Sequence, residues 1–197
     1  MDGAVEDLVV VDDHGDFRYY PSAARMLSDL EYVDEAACIL DRAGLNRRLT
    51  LNDRRELVCG PLLGTVQFDW LLEAWTHAQH QSLPTHRLLR LLPHTLSELL
   101  AVLFEVLALE AGVHAAEAWL ISLDGEPEQL PALAEVDRHL HSIRQLDQVS
   151  VTDPFGHVYR PVRHRAHHGL PRHGSVLSYV ELASIRPRMS PTVSPER

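Results

Sequence analysis

The sequence predicts an α+β fold, a mixed or antiparallel sheet from N- and C-terminal hairpins packed against a central helical region. Two observations carry this prediction. Three D-x-x-G turns, at Asp12–Gly15, Asp41–Gly44 and Asp153–Gly156, are each flanked by short apolar alternations. Aspartate seeds such a turn with its side chain, and glycine takes the positive φ that the returning strand requires. Between the second and third turns lies a long stretch with apolar residues at helical spacing. The chain has 197 residues, 45% hydrophobic and 23% charged, which suits one soluble domain with a substantial core.

Residues 1–60 form the first region. "DLVVVDDHGDFRYY" predicts two strands around the Asp12 turn, and "PSAARMLSDLEY" a helix with Ser22 as N-cap and Met26, Leu27 and Leu30 on one face. "ACILDRAGLNRRLTL" repeats the strand–turn–strand pattern.

Residues 61–147 are expected to be helical. "QFDWLLEAWTHAQH" puts Phe68, Leu71, Leu72 and Trp75 on one stripe. "THRLLRLL" reads as a short helix ending near Pro93. "TLSELLAVLFEVLALEAG" starts at a Thr95 cap and stops at Gly112; apolar almost all round, it should be the central helix. "VHAAEAWLISL" is grouped with these helices, and "LPALAEVDRHLHSIRQL" places Leu133, Val136, Leu140 and Ile143 inward.

Residues 148–186 return to strands around the Asp153 turn and are expected to share a sheet with the first region. Residues 187–197 are a Pro/Ser-containing tail expected to be disordered.

The formal net charge is −10, and all eighteen basic residues are arginine. Eleven acids precede Arg42, against Arg18 and Arg25 alone, whereas Pro154 to Val180 holds four arginines and no acid. This balance argues against nucleic acid or an anionic membrane as the main partner. It suits instead a basic protein partner meeting an acidic surface that includes Asp12, Asp13 and Asp16, or simply a solvated face. An acidic N-terminus and no apolar run long enough to span a bilayer give no export or membrane signal. Two cysteines without C-x-x-C spacing fit a reducing compartment, so a cytoplasmic location is expected.

Several patterns have the residue types of a functional site. Glu73/His77, Glu110/His114 and Glu135/His139 share Glu-x3-His spacing, but none of the pairs belongs to an apolar helix face, so they read as surface pairs. His77 and His80 could ligate zinc with a third group, yet no HExxH or C-x-x-C accompanies them. "DDHGD" resembles an acid–histidine cluster but is explained by the turn. The densest candidate is "PVRHRAHHGLPRH", with Arg160 just before it and Arg163, His164, Arg165, His167, His168 and Arg172 inside. The plain reading is a solvated basic loop. The functional reading is contact with an anion, an acidic partner or the protein's own acidic N-terminal third. Ligation of a metal by His164 and His168 is disfavoured by the repelling arginines. No phosphate-binding glycine motif or serine-nucleophile motif occurs, lysine chemistry is ruled out, and no cofactor is expected.

"VVVDDHGDFRYYPSAARMLSDLEYVDEA" with "ILDRAGLNRRLTL" resembles small α/β proteins of actinobacteria, some of them similar to immunity proteins, which neutralise a toxin by binding it. The resemblance covers the N-terminal quarter and implies partner binding; it assigns no residue a role. The expectation is a non-catalytic interaction protein of the immunity or adaptor kind. The alternatives are an enzyme using the C-terminal His/Arg cluster, with or without a metal, and a small-ligand regulator with a pocket lined by Trp70, Trp75 and Trp119. Self-association stays open.

Overall fold

A computed structural model describes residues 7–91, 93–113, 118–123, 125–164 and 176–182. The α+β class is observed, but the terminal hairpins do not share a sheet: there are two. The first contains β1 (Leu8–Val11), β2 (Phe17–Tyr20), β3 (Cys38–Leu40), β4 (Leu45–Leu51) and β5 (Leu57–Thr65), in the order β2-β1-β3-β4-β5 and antiparallel throughout. The second contains β6 (Leu88–Leu89), β7 (Trp119–Leu123), β8 (Glu126–Leu130), β9 (Val149–Thr152), β10 (Val158–His164) and β11 (Val176–Glu181). Its order is β6-β11-β10-β9-β7-β8, parallel only where β6 meets β11. The helices are α1 (Ala23–Asp29), α2 (Phe68–Gln81), α3 (Leu96–Glu110) and α4 (Leu133–Ser142).

The run "LVVV" is buried along its whole length because β1 is covered on both faces. Successive side chains point to opposite sides of a strand. Leu8 and Val10 meet Met26 and Leu30 of the α1 layer, while Val9 and Val11 enter the main core. That core is centred on α3, whose Leu99, Leu103, Phe104 and Val106 have no exposed surface. It includes Phe17 from the first sheet and Val151, Tyr159 and Tyr179 from the second, so one core spans both sheets. The expected caps are present: Ser22 Oγ accepts from Arg25 N at 3.2 Å, and Thr95 and Glu98 form a capping box.

The D-x-x-G turns share one geometry. The aspartate Oδ1 accepts the backbone N–H of the third and fifth residues, at 2.9 Å in every case, while the fourth residue has positive φ. A fourth copy joins β4 to β5. Asn52 replaces the aspartate with the same 2.9 Å bonds, and Arg55, at φ 62°, stands where the others have glycine.

Two segments expected to be helical are strands. "THRLLRLL" forms β6 and its flanks. His86, Leu88 and the Arg90 side chain are buried while Leu91 is exposed, a period of two, and Leu88–Leu89 pairs with Tyr179–Val180. In "VHAAEAWLISL", residues 114–117, including His114, lie outside the described residues, and β7 follows, with Trp119 and Ile121 buried in alternation. Its partner β8, "EPEQL", is an exposed edge strand with no apolar pattern to reveal it. Among the described residues no helix is long and apolar enough to cross a membrane.

Candidate functional site

The basic segment divides on inspection. Arg165, His167, His168 and Arg172 lie outside the described residues. Arg160 is exposed on β10. Arg163 is not available to an anion in this arrangement: its Nη2 donates to the Leu140 and Ile143 carbonyl oxygens at 2.9 and 2.8 Å, satisfying the C-terminus of α4. His164 Nε2 lies 2.7 Å from Ser178 Oγ across the β10–β11 pair. Serine beside histidine is the start of a nucleophile–base pair. Ser178 has no exposed surface, however, so the contact acts as a cross-strand hydrogen bond.

A buried polar spine is the feature that the sequence did not announce. Arg90, with its side chain 2% exposed, donates from Nη2 to Asp153 Oδ2 at 2.8 Å, from Nε to Tyr159 Oη at 2.9 Å, and from Nη1 to Glu105. Tyr159 Oη also donates to Asp153 Oδ2 at 2.8 Å. Burial works against charge on Arg90, but Tyr159, Glu105 and Asp153 outweigh it and raise the guanidinium pKa. Burial likewise pushes the Tyr159 and Tyr179 phenols upward, so both stay protonated donors, Tyr179 to Asp137 at 2.6 Å. Arg87 pairs with Asp137 on α4. Glu110, at the end of α3, accepts from Arg87 N at 2.6 Å and Leu88 N at 3.0 Å, and lies 3.2 Å from His86 Nδ1. His157 Nδ1 sits 2.7 Å from Glu181, whose other oxygen accepts from Leu91 N at 2.8 Å. Arg90 and Asp153 are buried against each other, and the remaining groups are tied by hydrogen bonds between separate elements, so the spine reads as internal cross-bracing. The sequence signals were "HRLLR" and a lone Glu105 within an otherwise apolar helical run.

The expected acidic surface is narrower than Asp12, Asp13 and Asp16 together. The Asp12 carboxylate is occupied by its turn, and Asp16 Oδ1 accepts from Ser82 Oγ at 2.9 Å. Asp13 remains 64% exposed, its one polar side-chain contact among the described residues being His14 Nδ1 at 2.6 Å. The β1–β2 turn and the outer side of α2 wall a groove of about 540 Å³. Asp13 and His14 stand on one side, Glu73 and His77 on the other, and Trp70 lines the groove with 46% of its surface exposed. Glu73 and Asp69 have no hydrogen-bonding or ionic partner among the described residues. The two patterns "DDHGD" and Glu73/His77, each ordinary in isolation, are thus brought to one place. His80 lies in a shallower hollow of about 400 Å³, with Asp69, Glu73 and His77. Asp12, Asp13 and His14 each offer a ligand atom within 4.8 Å of the others, but Asp12 Oδ1 already serves two backbone donors.

No protein-family model, curated protein or solved structure matches this chain. Trp75 and Trp119 are only 3% and 2% exposed and belong to the core. A pocket lined by all three tryptophans is not formed, and Trp70 alone faces solvent.

Proposed function

We propose that this chain is a non-catalytic interaction protein, of the immunity or adaptor kind, that docks a basic partner on the groove between the β1–β2 turn and α2. One observation carries the reading: the exposed Trp70 shares its groove with Glu73, which has no ionic partner among the described residues, and with Asp13, whose described contact is the adjacent His14, while Asp12 is held by its turn and lies 3.8 Å from Arg18. Other acids of the chain are paired with its own arginines, as in Asp7–Arg42 and Asp137–Arg87. Exposed aromatics with a complementary charged surround are the usual anchors of protein interfaces, and opposite charge speeds and orients association. Cys38 and Cys59 are both free thiols, which supports a cytoplasmic setting within this reading.

The test is partner retention from an extract of the source cells at moderate salt, compared between the chain and an Asp13→Asn/Asp69→Asn/Glu73→Gln variant. A stoichiometric basic protein held by the first and released by the second is the expected result. Recovery of no stoichiometric partner, or equal retention by both, overturns the reading.

A further inference from the structure

We infer that the groove receives a single arginine side chain of the partner, with its guanidinium stacked on the Trp70 indole and paired with Asp13 and Glu73. The inference rests on the docking reading and specifies its contact chemistry. Trp70, with 46% of its surface exposed, lines the groove together with the small residues Ala37 and Ala74. Asp13 and Glu73 wall the groove from separate elements, and among the described residues no arginine lines it, Arg18 approaching only Asp12, at 3.8 Å. A planar, delocalised cation fits this setting better than an ammonium. Guanidinium is weakly hydrated, stacks on aromatic faces and presents forked N–H donors to carboxylates. The chain uses the same arrangement internally: Arg42 is bonded to both oxygens of Asp7 at 2.7 and 2.6 Å while its guanidinium lies 4.9 Å from the Phe104 ring centroid. The groove lacks the arginine that would complete a second copy.

On the other side of Trp70 the surface continues into a hollow of about 390 Å³ lined by Asn46, Arg48 and Gln67. The polarity reverses across the indole, from carboxylates to an arginine and two amides. A run of cations would meet Arg48, whereas one arginine followed by backbone carbonyls or an acidic side chain matches both halves. The ligand class is therefore a single arginine in an exposed segment.

The probe is the blocked pentapeptide Gly-Gly-Arg-Gly-Gly, titrated against the full chain while the backbone amide resonances of Asp13, Glu73 and Ala74, and the Trp70 indole N–H in chains that keep it, are followed by NMR. Its citrulline counterpart, which has the same shape and no charge, and its lysine counterpart are run in parallel, as is Zn²⁺ alone. Saturable binding of the arginine peptide is expected, with the lysine peptide weaker and the citrulline peptide silent. Trp70→Gln and Asp13→Asn/Glu73→Gln should each weaken it by roughly three- to tenfold, with unchanged thermal unfolding showing that both variants are folded. Equal binding of citrulline and arginine, binding unchanged in both variants, or a response at Trp70 to Zn²⁺ alone would overturn the arginine assignment. The two readings fail separately. A silent peptide with partner retention still lost in Asp13→Asn/Glu73→Gln removes the arginine contact and keeps the docking face. Peptide binding with partner retention unchanged in that variant does the reverse.

Discussion

Replacing Arg90 with methionine removes the cation of the buried spine while keeping a side chain of similar length. Asp153, with its side chain fully buried, would keep the Tyr159 hydroxyl and two backbone N–H groups but lose its counter-charge. Breaking a buried pair from one side costs about 3–5 kcal/mol, because an uncompensated charge is left behind. Domains of this kind have about 5–15 kcal/mol in all, so the variant should lie near the edge of folding. Asp153→Asn preserves the Oδ1 acceptor of the turn and leaves Arg90 with Glu105, so its cost should be smaller, about 1–3 kcal/mol. The double variant neutralises both sites and should be less destabilised than the sum of the single changes by at least about 1 kcal/mol. Glu105 is a third exposed and screened by water, and it does not change that order. Urea unfolding at neutral pH, followed by fluorescence of the buried Trp75 and Trp119, supplies the three free energies. A cost for Arg90→Met below about 1 kcal/mol, or additivity within about 0.5 kcal/mol, would refute the claim that the spine braces the fold.

Three further expectations follow from the turns and from the Cys38 thiol. Arg55→Gly should stabilise the chain by roughly 0.5–1 kcal/mol, because among the described residues only the β4–β5 turn puts a side chain at positive φ. Gly44→Ala should cost more than Gly156→Ala in the same thermal assay, since an added Cβ at 44 would come within 2.9 Å of Leu100 Cδ1 whereas nothing lies within 4 Å at 156. Burial pushes the Cys38 thiol from its usual 9 up to about 11, with Arg48 opposing weakly. The folded state therefore holds its proton longer than the unfolded chain. The stability is intact below pH 9 and is lost as pH climbs towards 11, with a slope of up to about 1.4 kcal/mol per pH unit. Cys38→Ala should flatten the unfolding free energy across that window, and an unchanged slope would count against the assignment.

The turns were legible because their requirement is local: an aspartate oxygen for two N–H groups and a glycine at positive φ. Asn52–Arg55 hid the fourth turn by changing both signature residues. The helices α2, α3 and α4 followed from their 3.6-residue period. β6 did not, because "RLLRLL" satisfies helical spacing as well as alternation. What decides between them is the set of distant partners of Arg90, namely Glu105, Asp153 and Tyr159. Two sheets rather than one is also a long-range fact, fixed by pairings such as β7 with β9 and β6 with β11. The groove is the same kind of case. Asp13 and Glu73 are 60 positions apart, and the duty of Asp16 towards Ser82 is invisible in "DDHGD".

The short strand β6, together with the residues beside it, has a consequence for how the molecule assembles. Through His86, Arg87, Arg90 and Leu91 it touches α3, α4, the Asp153 turn and β11 at once. With this strand out of place, Glu110 would lose the donors that β6 and its flank supply, and Asp153 and Glu105 would lose their shared arginine. Half-built forms are thus penalised more heavily than they would be around a purely greasy interior. The chain should pass between folded and unfolded in a single step, with its slowest-exchanging amides found in both sheets alike.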